Sequence, residues 1–140
     1  MRYLLDTNIL SEIRKGNAAH AAVRAWFASV DAEAFYVSVL TLGELRRGVE
    51  RVRFRGDHGQ AHLLEAWLVR LETVYEGRIL PVDVRIAELW GRLGLPDPLP
   101  VVDALLAATA IVHGITLVTR NVADVRRTAA SVLDPFAPNP

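Results

Sequence analysis

A three-layer α/β fold, with helices on both faces of a central, mainly parallel sheet, is predicted by two features of the sequence. Short apolar runs recur at residues 3–5, 35–39, 79–82 and 116–119, and segments with helical periodicity separate them. Each run is too short for a helix, and several are β-branched or aromatic. Strands alternating with helices imply parallel pairing, with both sheet faces covered.

Taken in order, Tyr3-Leu4-Leu5 forms the first strand and runs into Asp6-Thr7-Asn8, a polar cluster suited to capping a helix over residues 9–14 that stops at Gly16. Asn17 is placed to cap a second helix, with Val23, Trp26, Phe27 and Val30 on one buried face. Residues 35–39 read as a buried strand. Thr41-Leu42-Gly43-Glu44 then matches a capping box opening a helix to about Val52, and Gly56 breaks it. A long amphipathic helix follows, with Leu63, Leu64, Trp67, Leu68, Leu71 and Val74 as its apolar stripe. Residues 79–82 read as a strand and 84–93 as a helix, followed by a proline-rich loop at 95–100. Residues 101–113 form an apolar helix ended by Gly114, 116–119 a strand, and 121–127 a short helix. No repeat or linker interrupts the pattern, so residues 1–140 are expected to form a single domain.

Composition narrows the chemistry. The 140 residues hold 16 acidic and 16 basic side chains and no cysteine, so disulfide scaffolds, thiol catalysis and cysteine-bound zinc are excluded. His20, His58, His62 and His113 form no metal-binding pattern of the HExxH kind. Lys15 is the sole lysine beside fifteen arginines, and neither a P-loop nor a GxGxxG motif is present. The N-terminus lacks a signal-type apolar core, and the apolar stretch 99–113 is broken by Asp103. A soluble cytoplasmic protein without a membrane segment is expected.

In parallel α/β folds ligands bind at the carboxyl ends of strands, near a topological switch point. Polar residues follow every predicted strand: Asp6-Thr7-Asn8, Ser38 and Thr41, Asp83, and Thr119-Arg120-Asn121. Glu44 and Asp103 stand out because their surroundings are apolar. Three carboxylates at helix starts on one side of a sheet suit a hard cation such as Mg²⁺. Such an ion activates water and stabilises the leaving oxygen of a phosphodiester. Each acid also has a plainer use. Asp6 can cap a helix, Glu44 can complete the capping box, and Asp103 can complement a helix dipole.

The segment Leu4-Leu5-Asp6-Thr7-Asn8-Ile9-Leu10-Ser11-Glu12 closely resembles the opening of PIN-domain proteins, especially VapC-type toxins of bacterial toxin–antitoxin pairs. Further blocks resemble the family's later motifs in order: residues 37–48 around Glu44, 100–110 around Asp103, 117–124 around Asn121, and a closing strand at 132–136. Together they span nearly the whole chain. The resemblance implies a PIN-like sheet of four to five short strands and a ribonuclease using Mg²⁺ or Mn²⁺. It makes Asp6, Glu44 and Asp103 catalytic. Asp6 and Asp103, with Asn121 or Asp124, become the metal ligands. Where many members carry a fourth aspartate this chain has Asn121, which offers a carbonyl oxygen without charge; Asp124 is the alternative. Thr7, Ser38 and Thr119 match small hydroxyl residues that orient the acids or a water. The implied reaction is hydrolysis by a metal-activated water, with Glu44 ligating through water or taking its proton.

Arg46, Arg47, Arg51, Arg53 and Arg55 crowd the segment after Glu44, and Arg14 and Arg120 lie near the expected site. Arginine binds phosphate bidentately and stacks on bases. Arg14, Arg46, Arg47, Arg51 and Arg120 are therefore candidate contacts for RNA or for an acidic partner. Trp26, Trp67 and Trp90 read as core or interface residues. The resemblance also implies a homodimer silenced by a cognate VapB-like antitoxin, whose peptide would lie along a groove fringed by Ile9, Ile13 and the 46–52 helix. The competing reading is a catalytically weak PIN-like module that binds RNA or protein, motivated by Asn121. A response-regulator receiver shares the size, but it needs an acidic pair after the first strand and a late lysine, both absent here.

Overall fold

The computed structural model describes residues 1–137. Five short strands, β1 (Tyr3–Leu5), β2 (Phe35–Ser38), β3 (Ile79–Leu80), β4 (Thr116–Val118) and β5 (Val132–Leu133), form one sheet in the order β3-β2-β1-β4-β5. Every pairing is parallel. The helices are α1 (Thr7–Ile13), α2 (Ala21–Ser29), α3 (Val39–Phe54), α4 (His58–Val74), α5 (Val84–Trp90), α6 (Val101–His113) and α7 (Val122–Val125). Among the described residues no helix is long and apolar enough to cross a membrane.

The chain moves outward from β1 to β2 and β3, then returns to the other side of β1 to place β4 and β5. The direction of winding therefore reverses between β1 and β4. Leu5 pairs with Val118 there, and the ladder continues one step further, with Asp6 N donating to the Val118 carbonyl at 3.0 Å.

Alternation along these strands divides the core. Leu5 and Val118 face one layer, where Ile9, Leu10, Phe35, Val37, Leu45, Val49, Leu68 and Leu71 pack. Leu4 and Leu117 face the other, against Leu106, Ala107 and Ala110 of α6 and Val125 of α7. The small residues of α6 let its backbone lie close to the sheet. Gly114 ends α6 in the left-handed conformation, φ 63°, where a side chain would strain.

Several local expectations are corrected. Strand β2 stops at Ser38, and α3 begins at Val39 with Ser38 as its cap, its Oγ accepting from Leu40 N at 3.1 Å. The Thr41–Glu44 capping box does not form. Thr41 is fully buried inside the helix, and its hydroxyl has no hydrogen-bond partner among the described residues. His20, not Asn17, caps α2, its Nδ1 accepting from Ala22 N at 3.2 Å. On α4, Leu63 and Val74 are 65% and 62% exposed. The stripe that packs consists of Ala61, Leu64, Trp67, Leu68 and Leu71. Helical phase explains the difference, because Leu63 and Val74 lie close together beyond one edge of the arc centred on Leu64 and Leu68.

Candidate active site

The switch point brings the ends of β1 and β4 together, and Asp6 lies between them. Its carboxylate is 5% exposed and Thr119 only 1%. The Thr119 hydroxyl donates to Asp6 Oδ2 at 2.7 Å, and Thr7 N donates to Oδ1 at 2.7 Å as Asp6 caps α1. Capping and burial coexist on this side chain. Burial holds the Asp6 carboxyl above its ordinary pKa, despite the hydrogen bonds from Thr119 and Thr7 that favour the charged form; the Glu44 charge adds to the rise.

Glu44 stands one turn into α3, exposed, and its Oε1 accepts from the Thr7 hydroxyl at 2.7 Å. The β1–α1 junction thus holds two acids at once, Asp6 through the Thr7 backbone and Glu44 through the Thr7 side chain. Asp103 lies half-buried in the first turn of α6. Its carboxyl is also held above the ordinary value, first by burial and then by the charges of Asp6, Asp124 and Glu44. Asp103, in α6, thus feels the charges of Asp6 at the cap of α1, Glu44 in α3 and Asp124 in α7. No ion pair among the described residues involves any of them.

The remaining expected residues separate. Ser38 is fully buried, and its hydroxyl oxygen caps α3 by accepting from Leu40 N; no hydrogen bond joins it to an acid among the described residues. Asn121 is exposed; its backbone N–H donates to Thr119 Oγ1 at 3.1 Å, and its side chain caps nothing. Asp124 lies half-buried in the first turn of α7, and its charge raises the Asp103 carboxyl. Arg14, at the far end of α1 from Asp6, rests over Trp67, 5.8 Å from the ring centroid, and Arg120 over Phe136 at 4.4 Å; both are exposed. Arg46 forms a two-pronged bond to Glu65 of α4, at 2.7 and 2.6 Å, and is thereby occupied in joining two helices.

One residue that sequence reasoning treated only as part of a cap is Asn8. Its side-chain amide donates to Asp6 Oδ2 at 3.4 Å, and its Oδ1 accepts from Arg120 N at 3.3 Å. It ties the loop after β1 to the loop after β4, contacts that no local pattern predicts.

The donor set, hard carboxylate oxygens that take part in no ion pair among the described residues, fits a divalent ion of the Mg²⁺ type. Among the described residues no three acids or histidines close into a ready-made cage. Mg²⁺ does not demand one, because it keeps several waters and uses one or two carboxylates.

Comparison with known proteins agrees with this geometry. The PIN domain family model matches residues 3–130. The chain belongs to the PIN-domain family. Toxin FitB of Neisseria gonorrhoeae is 30% identical over 139 residues, covering 95% of this chain and 97% of that protein. The VapC ribonuclease Y4jK of Sinorhizobium fredii is 28% identical, covering 96% and 98%. The crystal structure of FitAcB from Neisseria gonorrhoeae superimposes with a TM-score of 0.86 at 28% identity, over 96% of this chain and 98% of that one. These similarities place the protein with the VapC-type PIN toxins.

Proposed function

We propose that this PIN-domain protein is a metal-dependent endoribonuclease, the toxin of a type II toxin–antitoxin pair, hydrolysing RNA phosphodiester bonds. The observation that carries this reading is the pair of acids at the switch point: Asp6, held by the Thr119 hydroxyl, and Glu44, held to the same junction by the Thr7 hydroxyl. Similarity to proteins named as VapC ribonucleases supports the choice of RNA.

Asp6 and Asp103 would hold Mg²⁺ or Mn²⁺, with Asn121 or Asp124 in the remaining place. The bound ion supplies charge to engage the phosphodiester and lowers the pKa of water. The protein's own groups do the rest. Thr119 and Asn8 fix the Asp6 carboxylate in one orientation. Thr7 holds Glu44 at the open side of the cluster, where an exposed carboxylate can accept a proton from attacking water. Arg47 and Arg120 border the site as cations for the phosphates on either side. Similarity to toxin FitB and to the FitAcB structure supports a cognate, VapB-like antitoxin as partner. A homodimer acting in the cytoplasm completes the proposal.

The deciding experiment incubates purified protein with structured RNA, with and without Mg²⁺ or Mn²⁺. Cleavage is expected only with the ion, and it is lost in Asp6→Asn and Asp103→Asn while circular dichroism stays unchanged. Inactivity of folded, inhibitor-free wild-type protein would overturn the enzyme reading in favour of a binding module.

A further inference from the structure

The five arginines after Glu44 form two populations on α3. At about 100° per residue, Arg46 and Arg53 point to the side opposite Glu44. There they meet Glu65 of α4, with Glu50 completing the cluster. Arg47, Arg51 and Arg55 fall within an arc of about 80° that contains Glu44. None of them takes part in an ion pair among the described residues. Phe54 borders the same arc and is 94% exposed.

One cavity lies along this face, and a second adjoins it and wraps round the end of α3 to Glu50 and Arg53. The first, of about 520 Å³, is lined by Thr7, Gly43, Glu44, Arg47 and Arg51 among others. The next, of about 660 Å³, is lined by Arg47, Glu50, Arg51, Arg53, Phe54 and Arg55. They adjoin at Arg47 and Arg51, so an open path runs from the acidic cluster to Phe54. Ten residues of helix put the two ends about 15 Å apart.

An unpaired arginine row and a bare phenyl ring call for a ligand with repeated negative charge and flat apolar rings. A second copy of this face meets that need poorly, because isologous contact would set arginines against arginines. An acidic peptide would carry its carboxylates into Glu44 and Asp103. Paired bases are stacked within a duplex and do not offer a free face to a protruding ring, whereas unpaired bases do.

We propose that this face of α3 is a track for single-stranded RNA, deepening the ribonuclease reading on which it rests. Arg47, Arg51 and Arg55 take successive phosphates of the strand leaving the acidic cluster, and Phe54 stacks on a base at the far end. Length and single-strandedness on one side of the cut then govern how well a substrate is held.

Fluorescence anisotropy with a 12-nucleotide single-stranded RNA, in EDTA to prevent cleavage, tests the track. Phe54→Ala is expected to weaken binding about 5- to 150-fold, the range for loss of one stacked base, with an unchanged salt slope. Arg51→Ala is expected to lower the slope of log affinity against log salt by about 0.7. An abasic ribose-phosphate oligomer of equal length should bind wild type and Phe54→Ala alike. With Mg²⁺ present, the Phe54→Ala defect should fall on KM, and Val69→Ser on exposed α4 surface should match wild type.

Affinity for RNA within twofold of wild type in Phe54→Ala overturns the proposal, as does an unchanged slope in Arg51→Ala. Tighter binding of polyglutamate than of RNA, also lost in Phe54→Ala, would assign the face to a protein partner and equally overturn it. Wild-type protein that binds RNA with these signatures but cleaves none with Mg²⁺ or Mn²⁺ supports the track and refutes the ribonuclease reading. Cleavage by wild type without these signatures does the reverse.

Discussion

Replacing Thr119 with valine removes the hydroxyl that donates to Asp6 Oδ2 at 2.7 Å while keeping the side chain's shape. Asp6 is 5% exposed and Thr119 1%, so water cannot readily take the vacated place. A hydrogen bond to a charged, buried acceptor contributes about 1.5–3 kcal/mol, so a loss of about 2–3 kcal/mol is expected near neutral pH. For a chain of this length that lowers Tm by about 6–12 °C. The pH dependence follows from linkage. Burial already raises the Asp6 carboxyl above its ordinary value, and the Thr119 bond opposes that rise. Without the bond the folded-state pKa moves further up. The valine defect is therefore full where Asp6 is ionised in both proteins, and it fades as pH falls through the two folded-state values. Urea denaturation followed by circular dichroism from pH 7 toward pH 4 measures this directly. Thr119→Ser, which keeps the hydroxyl, should recover most of the loss. A Tm within about 2 °C of wild type, or a defect independent of pH, would refute the account of Asp6 as a buried carboxylate held charged by Thr119.

Three further outcomes test other parts of the structure. Asp103→Asn is expected to stabilise the protein in EDTA by about 0.5 kcal/mol, because an acid with a raised folded pKa destabilises once ionised; the gain should disappear below the unfolded carboxyl pKa, and Mg²⁺ should raise Tm in wild type far more than in the variant. Glu65, held by Arg46 and Arg53, has its carboxyl lowered to about 2, so its contribution should be present above pH 4.5 and lost toward pH 2; Glu65→Gln should flatten the acid limb of a Tm-versus-pH curve. Thr41→Val removes a buried hydroxyl that has no partner among the described residues and should be neutral or stabilising by up to about 1 kcal/mol. Destabilisation above that size in chemical denaturation would mean that the hydroxyl is in fact satisfied.

Strand–helix alternation was legible because it depends on local patterning: apolar triplets at 3–5 and 116–118, and Gly114 after the last turn of α6, act within a few residues. The family was legible too, since Asp6, Glu44 and Asp103 sit in motifs resembling those of PIN domains, and the PIN domain model matches residues 3–130. Local reading misassigned roles where two patterns were compatible with one segment. Thr41 and Glu44 have the spacing of a capping box, yet Ser38 caps the helix, and the freed Glu44 is held by Thr7, 37 residues away. Arg46 and Arg47 are adjacent in sequence and alike in chemistry, but a rotation of about 100° gives one to Glu65 and leaves the other facing the site.

The zero net charge, the missing cysteines and the alternating pattern are properties of composition and short-range order, and the sequence alone determined them. Tertiary structure decided which charges meet. Parallel pairing of β1 with β4 carries Thr119 to Asp6 across 113 residues and sets Asn8 beside Arg120, while α6 and α7 bring Asp103 and Asp124 into the same field. The physical reason is that hydrogen bonds and Coulomb forces act over a few ångströms of space, and a sheet that reverses its winding beside its central strand makes distant segments neighbours.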